Sequence, residues 1–564
     1  MKRTHLGAAA AVLATAALIG CATPFFAAPV RPNVLVIVAD DMGWSDLGAL
    51  GGEIPTPNLD ALAAEGVLFS NFHVAATCSP TRAMLLTGVD NHRAGIGNMG
   101  EFLTDRQRGM PGYEGHLNHR VVTLATLLRD AGYTTSMVGK WHLGSESDQR
   151  PHARGFERSF AMLEGAGSAW SDGSPAPMLG ERVHFSRNGE IVPRPEGRFS
   201  AELYVDELID FLDATQSGDA PFFAYIAFQA VHWPHHAPDA YLDAARGVYA
   251  GGWRAIREAR IEKLRELDIF EPETPASPLE PSIPEWKSLT PAQQRDEMAR
   301  MEAYAAMATA MDHQVGRLVD HLRTTGRYDD TLILFVSDNG ADPSQPERSP
   351  RAREWYESHY PKTSPDDLGK PGSFPSTGFS WARTSVTPLR QHKGQPGEGG
   401  MRVPFFAHYP KRLSGGRVTN ASGYATDLVP TVLEATGIAT AAQGGMRRTG
   451  LDLDGTSLWQ VLRGFEKRAH PPEEAIGYEL MGNSALFVGD MKLVQSHGEA
   501  WQLFDITKDP GETKDLAATH VAELQELLLR YNRYEREMGV IPVPPDYDVM
   551  QMLLRARPVP TPSR

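Results

Sequence analysis

The sequence predicts an α/β protein built on a large, mixed but mostly parallel sheet flanked by helices, with a smaller C-terminal antiparallel sheet and its own helix. Three observations predict it. Four runs read as buried strands, and the first, Asn33 to Ala39, is β-branched and unbroken, without the alternation of a half-exposed strand. Segments of helical apolar spacing lie between them, as the connections of a parallel sheet require. Near the C-terminus several short strand-like runs instead follow one another and precede a single helix.

The first run, Asn33 to Ala39, ends at Asp40-Asp41. A helix is predicted from Pro57 to Ala64, opened by Thr56 and stopped at Gly66. Another, Leu124 to Ala131, stops at Gly132 and delivers the second run, Thr134 to Val138, into Gly139-Lys140-Trp141-His142. A helix over Ala201 to Thr215 precedes the third run, Phe222 to Phe228, which leads to Val231-His232-Trp233-Pro234. Residues 250–297 are charge-rich and read as a helical surface insertion. Met298 to Thr325 has helical spacing and precedes the fourth run, Thr331 to Val336, which leads into Ser337-Asp338-Asn339-Gly340. Residues 341–390 are rich in Pro, Ser and Arg and carry six aromatic residues. So long a stretch without periodicity is either a set of loops around a site mouth or an irregular insert packed by its own aromatics. At the end, Ala485–Val488, Lys492–Gln495 and Trp501–Phe504 read as strands and Val521 to Met538 as the covering helix. In parallel sheets ligands bind beyond the carboxyl ends of the strands. All four runs end there in residues capable of chemistry.

With 564 residues the chain has room for a large domain and a smaller one. We place them at 33–470 and 471–564. The first twenty residues read as an export signal: Lys2 and Arg3, then an apolar Ala-rich run too short to span a bilayer. It ends in Leu18-Ile19-Gly20-Cys21, which resembles a lipobox; cleavage before a lipidated Cys21 would leave residues 21–32 as a tether. The alternative is a plain signal cleaved near Ala22 or Ala28. The lipobox reading predicts a periplasmic lipoprotein on the outer membrane of a Gram-negative cell. The formal charge is −15, which argues against a nucleic-acid partner and against a long polyanionic substrate. Only two cysteines are present. In an oxidising compartment, a lipidated Cys21 would leave Cys78 without a partner, which marks it as chemically unusual.

Cys78-Ser79-Pro80-Thr81-Arg82 is followed by Ala83 to Gly88. Pro80 suits the first position of a helix and Gly88 its end. Cys78 would then lie just before a helix N-terminus, where free N–H groups and the dipole favour an oxyanion. Arg82, one turn on, could reach the same place. By position alone, a buried structural cysteine is the better reading.

The run A-T-C-S-P-T-R-A-M-L-L-T-G resembles the C-x-P-x-R-x-x-x-x-x-G pattern of type I sulfatases at every defined position. Gly132 to His142 resembles the second pattern of that family. The likeness extends from Asn33 to Trp501–Asp505 and Asp509–Glu512 and is nearest to bacterial arylsulfatases. It implies the alkaline-phosphatase-like fold. It also implies a small sulfate-ester substrate, hydrolysed through S–O cleavage with a covalent sulfo-enzyme intermediate. Cys78 would be oxidised to formylglycine by a dedicated formylglycine-generating enzyme, and its hydrate would be the nucleophile. A geminal diol can expel sulfate by collapsing to the aldehyde, whereas a thiol could not turn over.

The resemblance further assigns Asp40, Asp41, Asp338, Asn339 and the matured Cys78 to one divalent cation. The oxygen donors suit Ca²⁺ first and Mg²⁺ second. Taken alone, an Asp pair after a strand is a common cap and S-D-N-G a common turn. Arg82 and Lys140 would orient the hydrate and bind sulfate. His142 would take the proton from its second hydroxyl. His232 and Lys393 would hold sulfate and help protonate the leaving oxygen, and Asp338 could serve as base toward the attacking hydroxyl. Arg390 and His392 are the neighbours that could be mistaken for Lys393. His235 and His236 either shape the pocket rim or serve structure. Two rival readings stand: a phosphonate or phosphate ester hydrolase of the same superfamily, and a non-catalytic lipoprotein that binds sulfated ligands.

Overall fold

The computed structural model describes residues 31–170, 183–215, 218, 220–350, 352–438 and 452–549. The signal segment, Cys21 and nearly all of the tether lie outside the described residues. No helix among the described residues is long and apolar enough to cross a membrane.

The large sheet is built from β1 (Asn33–Ala39), β2 (Val67–His73), β3 (Thr134–Lys140), β4 (Arg158–Met162), β5 (Phe185–Arg187), β6 (Glu190–Val192), β7 (Phe222–Ala227), β8 (Thr331–Ser337), β9 (Arg402–His408), β10 (Arg417–Thr419) and β11 (Gly423–Tyr424). Its order is β10-β2-β9-β8-β1-β7-β3-β4-β5-β6, with β11 beside β2. The inner five strands, β8-β1-β7-β3-β4, are all parallel. β9 runs antiparallel to both β8 and β2. The predicted fold class therefore holds, and the four runs read from sequence are the four central strands.

Their lack of alternation has a direct cause. In β1, Leu35, Ile37 and Ala39 enter one hydrophobic core while Val34, Val36 and Val38 enter another on the opposite face. Helices Pro57–Glu65, Ser200–Asp213 and Pro291–Thr324 cover the first face. Cys78–Thr87, Leu124–Asp130 and Leu428–Ala435 cover the second. β2 and β9 were not recognised in the sequence. β2, V-L-F-S-N-F-H, mixes polar residues into a fully buried strand, and its bulge between Phe69 and Phe72 breaks any period.

Two helix starts and the character of one insertion differ from expectation. The long helix starts at Pro291, seven residues before Met298. Thr290 and Gln293 form a capping box there, but the first turns are solvent-facing and show no apolar period. The helix at Cys78–Thr87 begins two residues before Pro80, with Thr77 as its cap. Pro80 is tolerated because the first-turn N–H groups have no intrahelical partner to lose. Residues 250–297 do form a helix, Gly252–Glu266, but it is not merely superficial. Its Arg260 is buried and bonds Asp46 at 2.7 Å and Glu53 at 2.7 Å.

The second sheet is antiparallel, β12 (Ala475–Leu480), β13 (Asn483–Val488), β14 (Met491–Gln495) and β15 (Gln502–Asp505), in sequence order. Helix Val521–Met538 packs Leu527, Tyr531 and Tyr534 onto it and ends at Gly539, whose φ of 71° needs a glycine.

Candidate active site

β1 and β8 are neighbours in register, with Ala39 opposite Ser337. Asp40-Asp41 and Asp338-Asn339 therefore leave the sheet side by side at the same edge. The crossing is fixed by short bonds. The Asp41 N–H donates to Asp338 Oδ1 at 3.2 Å, and Asn339 Nδ2 donates to Asp41 Oδ1 at 2.7 Å. Asp41 has φ of 64°, uncommon for a residue with a Cβ. That conformation turns its carboxylate back over the strand ends, and such outliers concentrate at functional sites.

The helix Cys78–Thr87 aims its first residue at this cluster. The Cys78 thiol lies 3.5 Å from Asp40 Oδ1 and 3.9 Å from Asp41 Oδ1. It is buried and in no disulfide among the described residues. Arg82 sits one turn on: Nε and Nη2 contact Asp338 Oδ2 at 2.8 and 2.7 Å, and Nη1 donates to the Lys140 carbonyl at 2.9 Å. Lys140 Nζ donates to Asp40 Oδ2 at 2.6 Å. Gly139 makes this approach possible. It has φ of 100°, and a Cβ there would lie 1.9 Å from the Ala227 carbonyl oxygen of the next strand.

The outer residues come from three other segments. Lys393 Nζ bridges Asp41 Oδ1 at 2.7 Å and Asp342 Oδ2 at 3.1 Å. Arg390 turns away to Glu512 and Gln502, and His392 bonds the Lys393 carbonyl, so the residue at the cluster is Lys393. His232 Nε2 is 3.6 Å from Asp41 Oδ2; its Nδ1–H donates to the Trp233 carbonyl at 2.7 Å, which fixes the tautomer of the neutral ring. His142, at φ of 55°, places Nε2 3.1 Å from Glu101 Oε1. Gly165 lies against this ring: a Cβ on it would come within 2.4 Å of His142 Cε1. Glu101, Asp342 and Gly165 were missed in the sequence. Glu101 lies in a short 3₁₀ turn and the other two in loops, each distant in sequence from its partner, and no local pattern marks them.

Burial dominates the electrostatics. It pushes Asp41 up to about 8 despite Lys393, and it raises Asp40 despite Lys140. Asp338 is as buried, but Arg82, Lys140 and Lys393 hold it below the ordinary carboxylate range. Burial pushes the Cys78 thiol well up. It would lower Lys140 and Lys393, yet Asp40 and Asp41 respectively keep them raised and charged. Burial, with Lys393 and Lys140, drives His232 well below its ordinary value, so it is neutral.

Two observations fit this cluster to a hard cation. One ligand atom from each of Asp40, Asp41, Cys78 and Asp338 lies within 4.8 Å of the others. Asn339 Oδ1 is buried with no hydrogen-bond partner among the described residues, an acceptor that a cation would satisfy. Oxygen donors of this kind suit Ca²⁺ or Mg²⁺.

Above the cluster opens a cavity of about 320 Å³, large enough for a small molecule. Cys78, His142, His232 and Lys393 line its floor, and Met99, Phe102, Trp233 and Met481 its sides. Residues 341–390 serve both roles expected of them. Asp342, Pro343, Ser344 and Pro346 line the cavity, while Tyr356, Tyr360 and Phe374 pack together behind Trp233. His235 and His236 do not line it; both are buried, His235 accepting from the Thr377 N–H and His236 bonding the Ser373 carbonyl.

The family model described as Sulfatase matches residues 32–438. An uncharacterized sulfatase of Schizosaccharomyces pombe is 37% identical over 533 residues, covering 92% of this chain and 96% of the relative. The arylsulfatase of Klebsiella aerogenes is 39% identical over 414 residues, 72% of this chain and 87% of that one. Among solved structures, Ps i-CgsB in complex with k-i-k-neocarrahexaose superposes with a TM-score of 0.64 at 26% identity, covering 89% of this chain and 92% of that one.

Proposed function

This chain belongs to the sulfatase family and is a sulfuric ester hydrolase of arylsulfatase type, and on that premise we propose that it cleaves small sulfate monoesters with a formylglycine matured from Cys78 and one bound divalent cation. The observation that carries this reading is the position of Cys78. Its side chain stands at a helix start, 3.5 Å from Asp40, on the floor of a cavity shared with His142, His232 and Lys393.

Asp40, Asp41, Asp338 and Asn339 would hold the cation, Ca²⁺ before Mg²⁺. It would supply Lewis acidity to the nucleophile and the sulfate oxygens. The hydrated aldehyde at position 78 would supply the attacking oxygen. The protein's other side chains divide the remaining work. Lys140, locked onto Asp40, and Arg82, locked onto Asp338, fix the position of residue 78 and concentrate positive charge where the sulfate enters. Lys393 keeps its proton and faces the side where charge grows on the leaving oxygen. Neutral His232, its Nδ1–H committed to Trp233, presents Nε2 to the site. His142, backed by Glu101, is placed to accept a proton from the second hydroxyl of residue 78. A formylglycine-generating enzyme would act before folding buries Cys78. We also propose that the chain is exported and lipid-anchored through Cys21, which radiolabelled palmitate incorporation in a Gram-negative host would test.

The test is a pair of measurements on protein from its native host. The tryptic peptide spanning Cys78 should be roughly 18 Da lighter than the encoded one, a covalent change read directly by mass. The same protein should release sulfate from an aryl sulfate faster than it cleaves an aryl phosphonate diester. An unmodified peptide removes the formylglycine reading. A phosphonate rate orders of magnitude higher hands the site to the rival chemistry, and no turnover of either ester leaves a binding protein.

A further inference from the structure

After helix Val521–Met538 the chain does not leave the molecule. It turns at Gly539 and runs back across the loop that carries Glu101. The Ile541 N–H donates to the Tyr113 hydroxyl at 2.7 Å, and its carbonyl accepts from Gln107 Nε2 at 2.9 Å. The Tyr547 hydroxyl donates to the Phe102 carbonyl at 2.9 Å and accepts from Asn98 Nδ2 at 3.4 Å. Val549 then reaches the cavity beside Phe102 and Met481. Tyr547, Val549 and Phe102 all pack against one core of the second sheet.

The cavity is thus divided by chemistry. Its floor is charged and is where a sulfate group would sit. The wall made by Phe102, Met481 and Val549 is apolar, and Trp233 contributes a further aromatic face. A leaving group attached to a sulfate on the floor must occupy the space between.

We propose that the returning segment Ile541–Val549 delivers Val549 to the leaving-group wall of this site and that Val549 sets the size of the apolar leaving group it accepts. The inference rests on the sulfate-ester reading above and adds a specificity determinant from the far end of the chain. Val549 is partly exposed and lies at the cavity edge, so its replacement changes shape without opening a core.

The experiment compares full-length wild type, Val549→Ala and Val549→Phe, each with matured residue 78. The readouts are kcat and KM for 4-nitrophenyl sulfate and 1-naphthyl sulfate, and the inhibition constant of inorganic sulfate. One missing or extra methylene in an apolar pocket is worth roughly 10- to 200-fold in discrimination, and a partly exposed edge position should give the low end, about tenfold. The naphthyl-to-nitrophenyl ratio of kcat/KM should therefore rise in Val549→Ala and fall in Val549→Phe. The sulfate inhibition constant should not move, because sulfate occupies only the floor. A ratio unchanged in both variants, or moved the same way in both, overturns the proposal while leaving an active sulfatase. Wild-type protein that hydrolyses neither ester overturns the sulfate-ester reading and this inference with it.

Discussion

His142 Nε2 and Glu101 Oε1 face each other at 3.1 Å, while His142 Nδ1 is buried without a hydrogen-bond partner among the described residues. One carboxylate therefore sets the orientation of the ring. Glu101→Ala should lower kcat by about 10- to 100-fold, less than the roughly 10²–10⁴-fold that a general acid–base group itself contributes, because the ring is retained. Glu101→Gln, which keeps an acceptor, should recover part of that loss. Equal kcat in Glu101→Ala and wild type would show that His142 needs no such partner.

Gly165 should be nearly as sensitive, for a steric reason. A methyl group there would collide with the imidazole of His142. Gly165→Ala should reduce kcat at least about tenfold with little change in melting temperature, since a displaced catalytic group costs rate more than stability. A variant with wild-type kcat would mean that the ring can yield without consequence.

Arg82 is buried between Asp338 and the Lys140 carbonyl. Arg82→Met would strand the Asp338 carboxylate in the interior. Breaking such a pair costs about 3–5 kcal/mol. Chemical denaturation should report a loss of that order, together with loss of turnover; a stability within 1 kcal/mol of wild type by the same extrapolation would contradict the pairing.

Metal removal should be visible in the fold as well as the rate. A cation that binds only the native state stabilises it by about 4 kcal/mol at a thousandfold excess over Kd. Exhaustive chelation should lower the melting temperature, and Ca²⁺ or Mg²⁺ should restore it. In Asp41→Ala the chelator should have a much smaller effect. A melting curve indifferent to chelation in the wild type would argue against a cation at this cluster.

His92 gives a pH dependence distant from the catalytic cluster. It is fully buried between Asp90 and Glu479, at 3.1 and 3.2 Å, and so ties the helix Asn91–Ala94 to β12. Burial would lower its pKa, but bonds to the two carboxylates raise it to about 9. A folded pKa above the unfolded value of about 6.5 gives stability that is complete below pH ~6.5 and is lost as pH rises toward 9. The melting-temperature gap between wild type and His92→Gln should be constant below pH 6.5 and narrow from there to pH 9. A gap that widens with pH would reverse the assignment.

Much of the fold was legible because its strongest signals are local. β1, β7 and β8 are almost continuously apolar, because burial on both faces removes alternation; β3, T-T-S-M-V-G-K, carries a weaker signal. The helix Val521–Met538 was read to the residue because Gly539 ends it. β2 and the start of the long helix were not legible, since a bulge and a solvent-facing first turn carry no period. At the floor of the site, the residues after β1, β3, β7 and β8 were readable as polar groups following buried strands, Cys78 and Arg82 lie within one recognisable motif, and Lys393, which follows an irregular segment, was assigned by the family resemblance alone.

The sequence by itself determined the fold class, the family resemblance and which side chains could do chemistry, because these depend on residue type and short spacing. Only the tertiary structure decided who stands beside whom. Glu101 against His142, Asp342 against Lys393 and Val549 at the cavity wall join segments between 41 and more than 400 residues apart. Such contacts follow from sheet register and from the path of the returning chain, which no local pattern encodes.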